Sequence, residues 1–232
     1  MTKFLFGFAL LIFTLFSQGQ VVSLGLEYHE VSMLGNNIAP NDTSLYRAGW
    51  ENDPRPTFMG MIEWPMRDKL SFQTGLSVST FQITTLIDAV PSNGFITGTT
   101  YRYKYFDLGL PILLKYRVKK NLRIIAGVQV HQLLGKNRQN PERLYPKEYY
   151  ESFEILGNAI KDNIRPTYVL ARYGLEIGLF ENRYALYVVA ERNLTNLMKA
   201  QNLDIKTPTA LSYQSIGVGL QYRFRGKLDA SN

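Results

Sequence analysis

The feature that most constrains this chain is a two-residue alternation of side-chain character that recurs in long stretches between Gln20 and Phe224. Two is the period of a β-strand, whose successive side chains point to opposite faces. Eight segments carry it, at residues 21–33, 57–66, 70–84, 101–118, 122–134, 168–180, 184–195 and 211–224. They are long beside the five or six residues usual for a soluble strand. Their connections alternate between two kinds. Arg67-Asp68-Lys69, Lys119-Lys120-Asn121 and Glu181-Asn182-Arg183 are tight polar turns, whereas residues 34–56, 85–100, 135–167 and 196–210 are long links. Tight turns at one end and long loops at the other predict an all-β fold, an eight-stranded antiparallel up-and-down transmembrane β-barrel. Strict alternation of this sort is less expected of a Greek-key sandwich.

The two faces of each segment set the expected orientation. In the fourth, Phe106, Leu108, Leu110, Ile112, Leu114, Tyr116 and Val118 share one face, and Asp107, Gly109, Pro111, Leu113, Lys115 and Arg117 lie on the other. In the sixth, Val169, Ala171, Tyr173, Leu175, Ile177 and Leu179 oppose Arg172, Gly174, Glu176 and Gly178. A nearly unbroken apolar face suits lipid. A face of glycine mixed with opposite charges suits a crowded, hydrated, ion-paired lumen. A lipocalin-type barrel needs the reverse. Tyr28, Trp64, Tyr116, Tyr184, Tyr222 and Phe224 fit an interfacial aromatic girdle.

Composition enters by exclusion. The chain has no cysteine, which removes disulfide scaffolds, thiolate metal sites and cysteine nucleophiles. Its net charge of +7 includes only one adjacent basic pair, Lys119-Lys120, so no nucleic-acid partner is expected. At the N-terminus, Lys3 precedes the apolar run from Phe4 to Phe16, and Ser17 and Gly19 place small residues before a cut at Gln20. That layout predicts a signal peptide at 1–19, a barrel domain at 20–224 and a periplasmic tail at 225–232.

Two stretches carry a family resemblance. Phe106-Asp107-Leu108-Gly109-Leu110-Pro111-Ile112-Leu113-Leu114-Lys115-Tyr116 resembles the central strand of the PorT-like family, small outer-membrane β-barrel proteins of Bacteroidetes. Gly217-Val218-Gly219-Leu220-Gln221-Tyr222-Arg223-Phe224 is similar to the final-strand signature that the barrel-assembly machinery reads. It departs from that signature in having Gly217 where a polar residue is usual and eight residues after Phe224. The resemblance implies residence in the outer membrane of a Gram-negative bacterium. Some members of the family act in type IX secretion.

An eight-stranded barrel is wide enough inside only for side chains, which excludes a porin. The inward parity collects Glu27, His29, Glu63, Asp107, Lys115, Arg172, Glu176 and Arg223, with Arg123 and Gln221 beside them. Their expected role is a polar network holding the barrel shut, each charge needing a partner. No catalytic residue, metal or cofactor is predicted. His29 and Ser32 fall on opposite faces of a strand, and His131 has Gln129 and Leu133 as same-face neighbours, without a hydroxyl. In the third long link, Tyr149, Phe153, Leu156 and Ile160 recur at helical spacing after Pro146, a lid or a contact surface for a partner. The function expected is structural or accessory, in protein secretion or surface assembly, exerted through extracellular loops. Expected partners are outer-membrane lipid, the barrel-assembly machinery during insertion, and other envelope proteins. The competing readings are an outer-membrane lipid-modifying barrel enzyme and a soluble exported lipocalin-like binder.

Overall fold

A computed structural model of the chain describes residues 20–35, 46–51, 54–89, 97–139, 154, 157–158, 161–199 and 211–224. The expected signal peptide and C-terminal tail lie outside the described residues. The strands are β1 (Val21–Gly35), β2 (Tyr46–Glu51), β3 (Pro54–Arg67), β4 (Leu70–Ala89), β5 (Thr97–Lys119), β6 (Leu122–Gln139), β7 (Thr167–Leu179), β8 (Tyr184–Asn193) and β9 (Leu211–Phe224). Every pairing is antiparallel, and the ring runs β1-β3-β4-β5-β6-β7-β8-β9 before closing on β1. In the closing ladder Val22 lies opposite Phe224 and Gly35 opposite Leu211. The result is a closed, eight-stranded, up-and-down barrel without a free edge, as the alternation predicts.

β2 is the departure. It pairs with the upper part of β4, where Glu51 meets Thr84, while Thr57 of β3 meets Ser79 further down. The two pairings differ in register by one residue, so β2 and β3 are two segments of one stave. The sequence puts residues 34–56 in a connection because Gly49, Asn52, Asp53, Pro54 and Pro56 are turn formers. What recruits them is the 20-residue length of β4, whose backbone groups beyond Thr80 need a partner. The strands β4, β5 and β6, of 20, 23 and 18 residues, outreach the expected segments and raise one side of the barrel. At the opposite end the β7–β8 turn carries Phe180, Glu181 and Asn182 in the left-handed region, with φ of 48°, 56° and 62°.

The outer face is apolar over a continuous belt. Leu24 and Leu26 on β1, Leu110 to Tyr116 at alternate positions of β5, Leu175 and Ile177 on β7, and Val218 and Leu220 on β9 are all exposed. The belt ends at charged or polar residues on the loop side, among them Glu30, Lys104, Gln132, Arg192 and Gln214. At the turn side an aromatic cluster closes it: Tyr184 lies 5.3 Å from Tyr222, Tyr222 5.0 Å from Phe224, and Trp64 5.8 Å from Phe72. Tyr28, opposite Val218, stands higher in the belt.

Inside, the expectation of an ionic hollow holds for only part of the length. The loop half is a buried apolar and aromatic core that includes Phe81, Ile83, Tyr101, Tyr103, Tyr168 and Tyr213. Ile164 and Met198, joined by an isolated bridge and fully buried, cap it together with Leu197. The loop-side ends of β4 and β5 turn Phe and Tyr inward, and the connections fold over them, so water is displaced there by packing.

Candidate functional site

The charged side chains of the barrel interior form two ion-paired bodies, drawn together from seven of the eight staves. The first lies near the tight turns. There Lys115 Nζ donates to Glu176 Oε2 at 2.6 Å and to Glu63 Oε2 at 3.3 Å. Arg123 reaches Glu63 Oε1 at 2.9 Å, Ser71 donates to the same oxygen at 2.8 Å, and Arg223 donates to Glu176. A central group follows. Arg172 donates to Glu27 through both terminal nitrogens and to Glu191 Oε1 at 2.7 Å, with Gln129 Oε1 at 3.3 Å. His29 Nε2 lies 2.8 Å from Glu27 Oε2, and Arg55 Nη2 donates to Glu191 Oε2 at 2.9 Å. Asp107 completes the second body on the loop side, with His131 Nδ1 and Tyr168 Oη each 2.9 Å from its Oδ2. Arg55 Nη1 is 3.6 Å from the same oxygen and links the last two groups.

All eight predicted lumen residues, Glu27, His29, Glu63, Asp107, Lys115, Arg172, Glu176 and Arg223, are buried in these two bodies. Among the described residues their carboxylates Glu27, Glu63, Asp107, Glu176 and Glu191 face the cations Arg55, Lys115, Arg123, Arg172 and Arg223. Five against five leaves the two histidines as the only further titratable imidazoles. Buried ions stay in place only when so paired, because losing a partner strands a desolvated charge. Glycine makes the crowding possible. A Cβ on Gly219 would lie 2.3 Å from the Tyr187 ring, and one on Gly217 2.6 Å from His29 Nδ1.

The fold is similar to that of the outer membrane protein OprG from Pseudomonas aeruginosa, at 10% identity and a TM-score of 0.46, over 90% of this chain and 97% of that one. The outer membrane protein AlkL in lipid bilayers gives 13% identity and 0.43, over 93% of each chain. The attachment invasion locus protein Ail of Yersinia pestis gives 10% and 0.41, over 89% and 99%. A likeness at that identity concerns the fold alone. No protein-family model matches the chain, and no curated protein matches it.

Several members of the network were not legible beforehand. Arg55 sat in an expected loop. Glu191 lies on β8, where Ala185, Tyr187 and Val189 share its inward face and Leu186 and Val188 occupy the other, so neither face reads as polar. Gln129, His131, Tyr168, Tyr213 and Ser215 join only because distant strands meet. The clearest instance is Ser215, whose Oγ lies 3.2 Å from His29 Nδ1 and donates to Glu191 Oε2 at 3.1 Å. With Glu27 on the other ring nitrogen, this has the connectivity of a serine, histidine and acid set. A same-strand search for His29 and Ser32 misses it, since Ser215 arrives from β9 opposite Val31. Its hydroxyl is engaged by Tyr213 and Glu191 and is buried.

Glu27, His29 and Glu191 also present ligand atoms within 4.8 Å of one another. Both carboxylates already hold Arg172, and a metal ion there would have to displace a guanidinium. The expected contact surface on the third link, Tyr149, Phe153, Leu156 and Ile160, lies outside the described residues. Within the same stretch Glu154, Gly157, Asn158 and Lys161–Asn163 are helical. Tyr103 Oη donates to Gly157 O at 2.7 Å, so this segment packs down onto the aromatic core.

Proposed function

We propose that the protein is an integral outer-membrane barrel of the PorT-like kind, with a structural or accessory role in protein secretion or surface assembly exerted through its loop end. The observation that carries the membrane reading is the apolar belt around a closed barrel whose interior is charged. Exposing such a surface to water costs about 25 cal/mol per Å². Hydrocarbon removes that cost, and a closed ladder leaves no backbone group unpaired within it. About ten residues of belt per strand, at roughly 3.3 Å per residue and a tilt near 40°, span about 25 Å, the height of the apolar band in such barrels. The packed interior supports an accessory role, since it leaves encounters with other molecules to the outer wall, the turns and the loops. A lipid-modifying enzyme needs a reachable nucleophile, and among the described residues the Ser215 and His29 pair is buried and already hydrogen-bonded. A lipocalin-like binder needs an open apolar cavity, and here the apolar half is filled by the protein's own side chains.

The membrane reading is tested by washing isolated envelopes with alkaline carbonate. The protein is expected to stay in the pellet and to run on gels with a mobility that changes on boiling. Release without detergent would overturn the reading. For the role, deleting residues 146–160 is expected to leave insertion intact while abolishing co-purification of envelope proteins from mild detergent. A deletion variant that retains the same co-purifying set would refute action through that link.

A further inference from the structure

We propose that the outer wall carries a binding site for one zwitterionic phospholipid, at the loop-side edge of the apolar belt, on β7, β8, β9 and β1. This rests on the lipid-facing orientation argued above. A depression of about 390 Å³ lies there, lined by Glu30, Ser32, Tyr173, Ala190, Arg192, Gln214 and Ile216 among others. The pairing register accounts for its shape. Tyr173, Ala190, Ile216 and Glu30 form one row across the four strands. Tyr173 and Ile216 project at 56% and 66% exposure, so the methyl of Ala190 between them is the floor of a notch. Below it Leu175, Val188 and Val218 continue the apolar belt, all similarly exposed. An acyl chain can lie on that surface with its upper end in the notch.

The row above reads Ala171, Arg192, Gln214 and Ser32, and there the surface becomes polar. Arg192 stands over the notch on its own strand. Glu30 stands on β1, two strands away, with Gln214 between and above. At about 4.8 Å between strands and 3.3 Å per residue, their backbones are roughly 12 Å apart, and both residues line the depression. The charges are thus opposite and set on either side of one polar platform. A guanidinium is the natural partner of a phosphate, and a carboxylate that of an ammonium. A headgroup carrying both, such as phosphoethanolamine, matches the pair, while a purely anionic headgroup meets Glu30 with like charge.

The test uses the full chain folded in an uncharged detergent, titrated with a short-chain phosphatidylethanolamine and, separately, with the corresponding phosphatidylglycerol, while backbone amide shifts are followed. Saturable shifts confined to the neighbourhood of residues 30, 32, 190, 192, 214 and 216 are expected with phosphatidylethanolamine. Arg192→Gln and Glu30→Gln should each weaken them about tenfold, the effect of one lost charge-assisted hydrogen bond. Ala190→Phe, which fills the notch from the outside and leaves the lumen untouched, should abolish them. Unsaturable shifts spread around the whole belt, equal or tighter binding of phosphatidylglycerol, or indifference to Ala190→Phe would overturn the site. A protein that inserts and resists carbonate yet shows none of the local shifts refutes the lipid site alone, whereas release by carbonate refutes the orientation beneath it.

Discussion

Replacing Arg172 by methionine asks whether ion pairing is what stabilises the barrel interior. The side chain is 3% exposed and bonds Glu27 through both terminal nitrogens, Glu191 at 2.7 Å and Gln129 at 3.3 Å. Methionine retains much of the volume and removes the charge. Breaking one buried pair from one side costs about 3–5 kcal/mol, because the partner remains desolvated. Two carboxylates are affected here, but neither is left bare. Glu27 keeps His29 at 2.8 Å, and Glu191 keeps Arg55 at 2.9 Å with Tyr213 and Ser215. The loss should therefore fall near the lower end, about 3 kcal/mol. Urea titration of the protein in lipid vesicles, followed by tryptophan fluorescence and the gel mobility of the folded barrel, measures it. Adding Glu27→Gln to Arg172→Met should restore about 1 kcal/mol or more, since it neutralises a stranded charge. A loss below about 1 kcal/mol for Arg172→Met, with additive behaviour in the pair, would show that water already solvates these carboxylates and would refute the reasoning.

Further outcomes follow from the same geometry. Leu175, 52% exposed near the middle of the belt on β7, should cost about 2–4 kcal/mol of insertion stability as Leu175→Arg. Gly174→Arg, directed into the lumen, should prevent folding, because a Cβ there already lies 2.1 Å from Val188 O. A harmless Leu175→Arg in lipid vesicles would mean the outer face is not lipid-facing. Gly219→Val should destabilise by at least about 1–3 kcal/mol through overpacking against the Tyr187 ring, read as a lowered urea midpoint. Tyr103→Phe removes the hydrogen bond to Gly157 O and should weaken the docking of that helical segment by about 1 kcal/mol. Faster amide exchange at residues 157–163 with unchanged exchange in β5 is the expected signature, and unchanged exchange at both would show that the bond does not hold the segment.

Local pattern was enough to determine the barrel. The two-residue period in stretches such as 106–118 and 211–224 assigns strand and face together, because a pleated backbone sends alternate side chains to opposite sides. The order of short turns and long links then leaves an antiparallel meander as the simplest closure, and β9 was bounded at Leu211–Phe224 from sequence and structure alike. The charges that parity placed inward, Glu27 through Arg223, are buried except for Arg123, which is half-buried at the turn end. Tertiary structure decided who meets whom. Arg55 belongs to the network because β3 begins among turn formers and pairs there with β1, setting Arg55 opposite His29. Glu191 belongs to it although both faces of β8 are apolar. Ser215 reaches His29 only through the closure of β1 on β9, 186 residues apart in the chain. The division of the interior into ion-paired groups and two apolar clusters, one around Phe81 and Tyr168 and one around Met61 and Leu113, was likewise hidden. Each inward residue announces its own polarity, but whether a hollow is wet or packed depends on how many such residues converge and what folds over them. Convergence is a property of the closed ring, and no single strand contains it.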